Sequence, residues 1–329
     1  MEILAYGVES YERPLLRKAF DGRYELRCLD VNLDEDTVVL ANGHEIVLTN
    51  VNAKADAEVL RRLAAGGTRL LTQRSTGFNN IDLDAASRHG ITVMRVSHYS
   101  PYAVAEFAWA LVQAVNRHLP RAVVRTRDFD FRLDGLLGRD MHGRTVGVVG
   151  TGRIGEAFAR IAHGHGCPLI GWDLVENPAC RELGMEYAEL PDLLSRSDLV
   201  SLHVPLTPDT HHLIDAAALD AMREDALLVN TSRGGLVDTF ALVAALRRGM
   251  LGGVALDVYE EEEHFFYRDL SNRRVTDDVL ARLMTYPNVL VTSHQAFFTE
   301  EAIDAILGTT LRNVDDFLAG RTTENTLTR

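Results

Sequence analysis

The stretch TVGVVGTGRIGEAFARIAHGHGCPLIGWD, Thr145 to Asp173, decides how the rest of the chain is placed. A β-branched run from Thr145 to Val149 ends in Gly150-x-Gly152-x-x-Gly155. Apolar residues at helical spacing, Ile154, Ala157, Phe158 and Ile161, follow at once. A second apolar run, Pro168 to Trp172, closes the unit on Asp173, 23 residues after Gly150. This is strand, tight turn, helix, strand, and each glycine has a job in it. Gly150 permits the turn, Gly152 lets a pyrophosphate approach the backbone, and Gly155 lets helix and strand pack closely. The helix N-terminus, from Arg153 and Ile154 onward, offers free N–H groups and partial positive charge to phosphates. Asp173 stands where a carboxylate accepts from both ribose hydroxyls and repels a 2′-phosphate, which predicts NAD rather than NADP. A lone glycine motif is weak; here strand, helix, second strand and terminal acid all accompany it.

A chain of 329 residues has room for two domains with separate cores. Its 46% hydrophobic and 25% charged residues are those of a globular protein in water. A formal charge of −13 argues against a nucleic-acid partner, which requires a basic surface. The start, MEILAYGVES, lacks a basic segment followed by a long apolar one, and no apolar run is long enough to span a bilayer. The expectation is a cytoplasmic enzyme with no membrane partner. Cys28, Cys167 and Cys180 have neither metal nor redox spacing. His163-x-His165 and His211-His212 have no thiolate or carboxylate at zinc spacing, so no metal is expected.

Before this unit, residues 1 to about 96 alternate candidate strands with helical stretches. The strands are Ile3–Val8, Glu25–Leu29, Glu45–Leu48, Leu70–Thr72 and Thr92–Arg95; the helical stretches are Tyr11–Phe20, Asp34–Ala41, Ala55–Ala64 and Asp82–His89. Such alternation predicts a doubly wound α/β domain with a parallel sheet, but its first strand is followed by no dinucleotide turn. Arg74 to Asp82, RSTGFNNID, falls at the carboxyl end of its fourth strand. It reads equally as an anion-facing loop and as a Gly-Asn turn leading to an N-cap at Asn80 or Asp82. Ser100-Pro101 starts an alanine-rich helix to about Asn116, read as a connection between domains. Arg117 to Arg139 reads as a surface or subunit-contact excursion, which makes a homodimer or higher homo-oligomer plausible. After Asp173, strands at Leu199–Val204, Ala226–Thr231, Gly252–Ala255 and Val289–Thr292 bring the second sheet to about six. Whether the last helix, Glu300 to Ala319, folds back on the first domain is not decided by periodicity.

Three groups lie at strand ends where ligands of open α/β sheets bind. In Asn230-Thr231-Ser232-Arg233-Gly234-Gly235 an arginine can offer a planar fork to a carboxylate. Asp257-Val258-Tyr259 precedes four glutamates, Glu260 to Glu263; as a run these read as solvated charge, although one could face a histidine. His294 follows the last strand. Taken together, Arg, Glu and His are what reduction of a 2-keto acid requires: a carboxylate clamp and a proton donor for the oxygen that gains charge as hydride reaches carbon.

The order GTGRIG, HVPLTPDT (His203 to Thr210), NTSRGG, DVYEEE and SHQAF resembles the D-2-hydroxyacid dehydrogenases over nearly the whole chain. RSTGFNNIDL and HYSPYAVAE, with the connection Phe265-Phe266 through Asp269, resemble the fermentative bacterial D-lactate dehydrogenase branch. The resemblance implies a flavodoxin-like substrate domain of residues 1–99 plus 299–329, a Rossmann NAD domain of 100–298, and an active-site cleft between them. It implies His294 as proton donor, Glu262 as its partner in the DVYExE pattern, and Arg233 as carboxylate clamp. Thr76 and Gly77 would add backbone contacts to the substrate, with Tyr99 and Phe297 walling its side-chain pocket. For the cofactor it implies Arg153 and Ile154 at the pyrophosphate, Asp173 at the ribose, and Val204 and Pro205 on the adenine side. Thr231 and Asp257 would meet the nicotinamide half, and His203 and Ser232 would also bind the cofactor. The expected reaction is reversible reduction of pyruvate by NADH to D-lactate. The alternatives left open are another 2-keto acid (glyoxylate, hydroxypyruvate or a branched one) and a non-enzymatic NADH sensor that binds a protein.

Overall fold

In the computed structural model residues 1–262, 265–267, 269–273 and 275–328 are described. The chain folds as two units, Met1–Ser100 with Thr299–Arg329, and Pro101–Phe298.

The first unit holds five parallel strands, β1 (Glu2–Ala5), β2 (Glu25–Cys28), β3 (Ile46–Thr49), β4 (Leu70–Gln73) and β5 (Thr92–Arg95), in the order β2-β1-β3-β4-β5. Helices α1 (Glu12–Phe20), α2 (Ala57–Ala65) and α3 (Leu83–Arg88) supply the crossovers. The central strands β3 and β4 are buried at every position, as a parallel sheet covered on both faces requires. The helix expected over Asp34–Ala41 shrinks to a 3₁₀ turn, Val38–Ala41. Asp34 explains this: its carboxylate accepts from the N–H groups of Asp36 (3.0 Å) and Thr37 (2.9 Å), a local alternative to helical bonding.

Among the described residues the second unit holds seven parallel strands. They are β6 (Val146–Val149), β7 (Leu169–Trp172), β8 (Glu186–Tyr187), β9 (Leu199–Leu202), β10 (Leu227–Asn230), β11 (Gly253–Leu256) and β12 (Val289–Val291). Their order is β12-β11-β10-β9-β6-β7-β8, one more strand than expected because two-residue β8 is too short to show periodicity. The chain order reverses across β6 and β9, the switch point at which a doubly wound sheet opens a crevice for a dinucleotide. The unit's helices are α4 (Pro101–Asn116), α5 (Leu119–Arg127), α6 (Arg153–Gly164), α7 (Pro178–Glu182), α8 (Leu190–Arg196), α9 (Ala216–Ala221), α10 (Thr239–Arg247) and α11 (Asp278–Leu283). Helix α4 belongs wholly to this unit. Its buried Ala105 and Ala108 permit close approach, and Trp109 meets Phe158 of α6 edge-on at 5.8 Å.

Helix α12 (Glu300–Leu318) returns to the first unit, which settles the question periodicity left open. Buried Asn313 fastens it there. Its Nδ2 donates to the Arg95 carbonyl (2.9 Å) and Thr72 Oγ1 (3.2 Å), and its Oδ1 accepts from Asn325 (2.8 Å). Among the described residues no helix is long and apolar enough to cross a membrane.

Candidate active site

Residue by residue, the turn after β6 has the shape its glycines predict. Gly150 has φ +94°, and a Cβ there would meet the His203 carbonyl carbon at 2.7 Å and the Val204 nitrogen at 2.8 Å. A Cβ on Gly155 would lie 1.9 Å from the Gly150 oxygen. Gly152 differs: nothing stands within 4 Å of its absent Cβ, so the space over the N-terminus of α6 is open to a phosphate. Arg153 is exposed beside it and Ile154 half-buried. Asp173, at the end of β7, accepts from the Thr151 N–H (2.6 Å) and Thr151 Oγ1 (3.2 Å), so the acid is bonded directly to the turn. This cradle fits a dinucleotide and places one carboxylate next to it.

On the other side of the switch point, Ser232 Oγ donates to the Val204 carbonyl (2.6 Å) and ties the loop after β10 to the loop after β9. Pro205 is exposed on that loop. His203 packs against Phe158 with the rings tilted (centroids 5.0 Å) and bonds Ser201 Oγ (2.9 Å). Burial drives its pKa down to about 3, which keeps the ring uncharged. Thr231 Oγ1 is buried with no hydrogen-bond partner among the described residues, a group that a carboxamide could satisfy.

Arg233, Glu262 and His294 follow β10, β11 and β12, three adjacent parallel strands whose last residues, Asn230, Leu256 and Val291, are in register. Each loop has its own reason for its shape. Asn230 holds the first: its Nδ2 donates to the Arg233 carbonyl (2.8 Å) and its Oδ1 accepts from the Ser232 N–H (3.0 Å). Gly234 then passes so close to the next loop that a Cβ would lie 2.1 Å from the Tyr259 carbonyl carbon. The guanidinium of Arg233 donates to the Ser232 carbonyl (2.7 Å), and among the described residues no carboxylate pairs with it. Its remaining donors are left for an anion.

The glutamate run is not simply solvated, a correction to the reading of charge alone. Glu262 folds back so that its Oε2 accepts from the Tyr259 N–H (2.9 Å), and its Oε1 stands 2.7 Å from His294 Nδ1. Glu260 turns to His212, Glu261 is exposed, and Glu263 lies outside the described residues. A carboxylate only accepts, so Nδ1 of His294 carries a proton toward Glu262 and Nε2 is the nitrogen left to face substrate.

His294 has φ +55°, a left-handed conformation unusual for a residue with a Cβ. Its N–H donates to the Asp257 carbonyl (2.6 Å), and Tyr267 donates its hydroxyl to the His294 carbonyl (2.9 Å). The Asp257 side chain, fully buried, accepts from Thr292 Oγ1 (2.6 Å) and from the N–H groups of Gln295 (3.0 Å) and Ala296 (2.8 Å). Burial raises its pKa, and these donors oppose the rise. Asp257 therefore shapes the histidine loop. The resemblance implied a nicotinamide contact for it, and its carboxylate also holds the histidine loop through these bonds. That role, with those of Tyr267 and Gly234, was missed in the sequence. A buried acid at a strand end was its signal.

In the first unit, Arg74 is buried against Glu12 (2.7 Å) and the Tyr6 carbonyl (3.0 Å) and so takes no part in an exposed loop. Thr76 and Gly77 are half-buried, their carbonyls taken by Arg95 (2.9 Å) and by Gln73 (3.1 Å) and Ser75 (2.9 Å). Their N–H groups have no partner among the described residues. The N-cap of α3 is Asp82, which accepts from Ala85 (2.8 Å). Tyr99 and Phe297 are both half-buried, each in its own unit.

A dinucleotide cradle at a switch point, with an arginine, an acid and a histidine on neighbouring strand ends, defines a nicotinamide-dependent oxidoreductase. The family described as D-isomer specific 2-hydroxyacid dehydrogenase, NAD binding domain, matches residues 109–296. The 2-hydroxyacid dehydrogenase A of Aspergillus oryzae is 50% identical over 100% of this chain and 96% of its own length. Among solved structures, the pyruvate reductase of Chlamydomonas reinhardtii superposes with a TM-score of 0.94 at 40% identity, covering 99% of this chain and 98% of that one. The apo D-lactate dehydrogenase of Escherichia coli does so with 0.91 at 42%, covering 99% and 100%. The chain belongs to the D-2-hydroxyacid dehydrogenase family, and its cofactor is NAD.

The position of Asp173 carries a prediction. On the proposal that Asp173 accepts from the ribose hydroxyls of the cofactor, replacing it by alanine removes that charged acceptor and the repulsion of a 2′-phosphate. A hydrogen bond to a charged group contributes about 1.5–3 kcal/mol, so the ratio of kcat/KM for NADPH to that for NADH is expected to rise about 10- to 100-fold. Steady-state kinetics with both cofactors checks it.

Proposed function

We infer that this chain reduces pyruvate to D-lactate with NADH and catalyses the reverse oxidation. The observation that carries the reading is the trio on adjacent strand ends: an arginine without an acidic partner among the described residues and a histidine bonded to a glutamate at 2.7 Å. Bound NADH supplies the hydride for the keto carbon. Arg233 holds the substrate carboxylate in a fork and draws charge toward the carbonyl oxygen. His294 gives that oxygen its Nε2 proton, and Glu262 steadies the imidazolium before transfer and keeps the ring in register. In lactate oxidation His294 takes the proton back. The substrate contacts of Thr76, Gly77, Tyr99 and Phe297 belong to the same proposal, as do the cofactor contacts of Arg153, Ile154, Val204, Pro205, Thr231 and Ser232.

Pyruvate is favoured over larger acids by the relatives, some of which are named D-lactate dehydrogenase or pyruvate reductase. NADH oxidation with pyruvate, glyoxylate, hydroxypyruvate and 2-ketoisocaproate in parallel, followed by chiral analysis of the product, tests it. The highest kcat/KM with pyruvate and a D product are expected. Preference for another acid moves the substrate and keeps the chemistry, because pocket walls alone separate these acids. No turnover with any of them, despite NADH binding, would leave the sensor reading.

A homo-oligomer is part of the proposal. Beyond α5, Phe129 (84% exposed), Phe131 (70%), Leu133 (82%) and Leu137 (92%) give the Arg117–Arg139 excursion a concentration of bare apolar side chains. Sedimentation velocity reads the assembly directly.

A further inference from the structure

His211 and His212 stand side by side in the sequence with no ligand-bearing residue at zinc spacing. The fold supplies one from 48 positions away. In the loop after β9, Thr210 Oγ1 donates to the Pro205 carbonyl (2.6 Å) and the His211 N–H to the Thr207 carbonyl (2.9 Å), closing a tight turn. His212 then adopts φ +54° and donates its N–H to the Gly235 carbonyl (2.8 Å). This backbone lays the two imidazoles together, centroids 3.9 Å apart and planes 26° from parallel. Both Nε2 atoms stand near one oxygen of Glu260, His212 at 2.6 Å and His211 at 3.9 Å. The other oxygen of Glu260 accepts from Thr239 Oγ1 (3.1 Å). Among the described residues this is a group in which one ligand atom from each of three residues lies within 4.8 Å of the others.

A hydrogen bond between His212 and Glu260 explains one imidazole. It leaves the second, on a side chain 54% exposed, stacked over the first with its nitrogen beside the same oxygen. A cation among the three atoms uses all of them. Bonds of about 2.0–2.1 Å in a tetrahedron place donor atoms about 3.4 Å apart, so the His211–Glu260 distance closes and the His212–Glu260 contact opens, each by under about 1 Å, and the two rings turn out of their stack so that both Nε2 lone pairs converge on the ion. Two imidazoles and a carboxylate suit zinc and its neighbours and are a poor set for magnesium or calcium, which take oxygen ligands. Thr239 supplies the outer hydrogen bond that holds a ligating carboxylate in place.

The geometry points to a divalent transition-metal site of the zinc type formed by His211, His212 and Glu260, with water in the fourth position. An ion bound there ties the loop after β9 to the turn that carries Glu262, two residues beyond Glu260. The site is separate from the reaction proposed above, since none of its three side chains is assigned to substrate or cofactor.

Calorimetric titration of zinc chloride into the full-length chain, freed of any affinity tag and stripped with EDTA, tests the assignment. One equivalent per chain is expected. His211→Ala removes an exposed ligand outside the core, so it should fold as the parent does, verified by an unchanged melting midpoint in EDTA. Its zinc affinity should fall by at least about 10-fold, the smaller loss seen even for outer-shell changes. His212→Gln and Glu260→Gln should fall as far, and the visible spectrum of bound cobalt(II) should lose its four-coordinate bands in all three. Absence of a saturable equivalent in the parent overturns the site. So does an equivalent that His211→Ala retains with unchanged affinity.

Discussion

Replacing His294 with glutamine is expected to lower kcat for 2-keto acid reduction by about 10²- to 10⁴-fold, the usual contribution of a positioned general acid. Glutamine matches the ring in reach and can still donate a hydrogen bond toward Glu262, but it has no proton to give. The contacts that hold this residue in its left-handed conformation are made by its backbone: its N–H to the Asp257 carbonyl and its carbonyl to the Tyr267 hydroxyl. Both survive the substitution, as does the grip of Asp257 on Gln295 and Ala296. The loop should therefore keep its shape, and the dinucleotide cradle after β6 is untouched. NADH affinity, read by fluorescence titration, should stay near that of the parent while turnover collapses. The limb of the pH–kcat profile that reports the protonated donor should vanish with it. Near-parental turnover would remove His294 from the chemistry. Loss of NADH affinity at retained kcat would make the histidine a structural residue.

How much of this arrangement could be read before the fold was known depends on how far apart in sequence the partners lie. The cradle was legible because its turn and terminal acid fall within one strand-helix-strand unit, and the bond from Thr151 to Asp173 closes it locally. Arg233 was legible as a cation at a strand end, though Gly234 was not read for what it does. Its lack of a Cβ matters only because the Tyr259 backbone, 25 residues on, passes against it. The glutamates were ambiguous for a related reason. Charge counting cannot separate Glu260, Glu261 and Glu262, whereas the bond from the Tyr259 N–H to Glu262 sends one to His294 and the turn sends another to His212. The resemblance gave Asp257 a cofactor contact, and that its carboxylate also holds the histidine loop shows only once β11 is paired with β12. The short strand β8 and the 3₁₀ turn at Val38–Ala41 escaped because each is too brief for periodicity to register.

The second large effect should come from Arg233→Lys. The charge is kept, so a role in long-range attraction of the anionic substrate would be nearly preserved. What changes is shape: a planar fork of five donors becomes a point charge with three, and two parallel bonds to a carboxylate can no longer form. Removing one preorganised donor from a developing oxyanion typically costs about 2.7–4 kcal/mol in kcat, or about 10²- to 10³-fold. On the proposal that Arg233 clamps the substrate carboxylate, a loss in that range is expected in kcat/KM for the 2-keto acid, shared between kcat and KM because such a clamp acts in both the ground and the transition state. The scaffold gives no reason for a folding defect. The bonds that shape this loop come from the Asn230 side chain to the Arg233 carbonyl and the Ser232 N–H, and from Ser232 Oγ to the Val204 carbonyl; none involves the guanidinium. The single bond lost is that from Nη1 to the neighbouring Ser232 carbonyl, which is half-exposed and open to water. NADH affinity should accordingly hold, since the loop keeps its tie to Val204. Adding guanidinium ion to an Arg233→Ala variant separates the two possibilities that remain. Recovery of turnover would mean that the fork itself is the missing part, and near-parental activity of Arg233→Lys would show that this arginine does not hold the substrate.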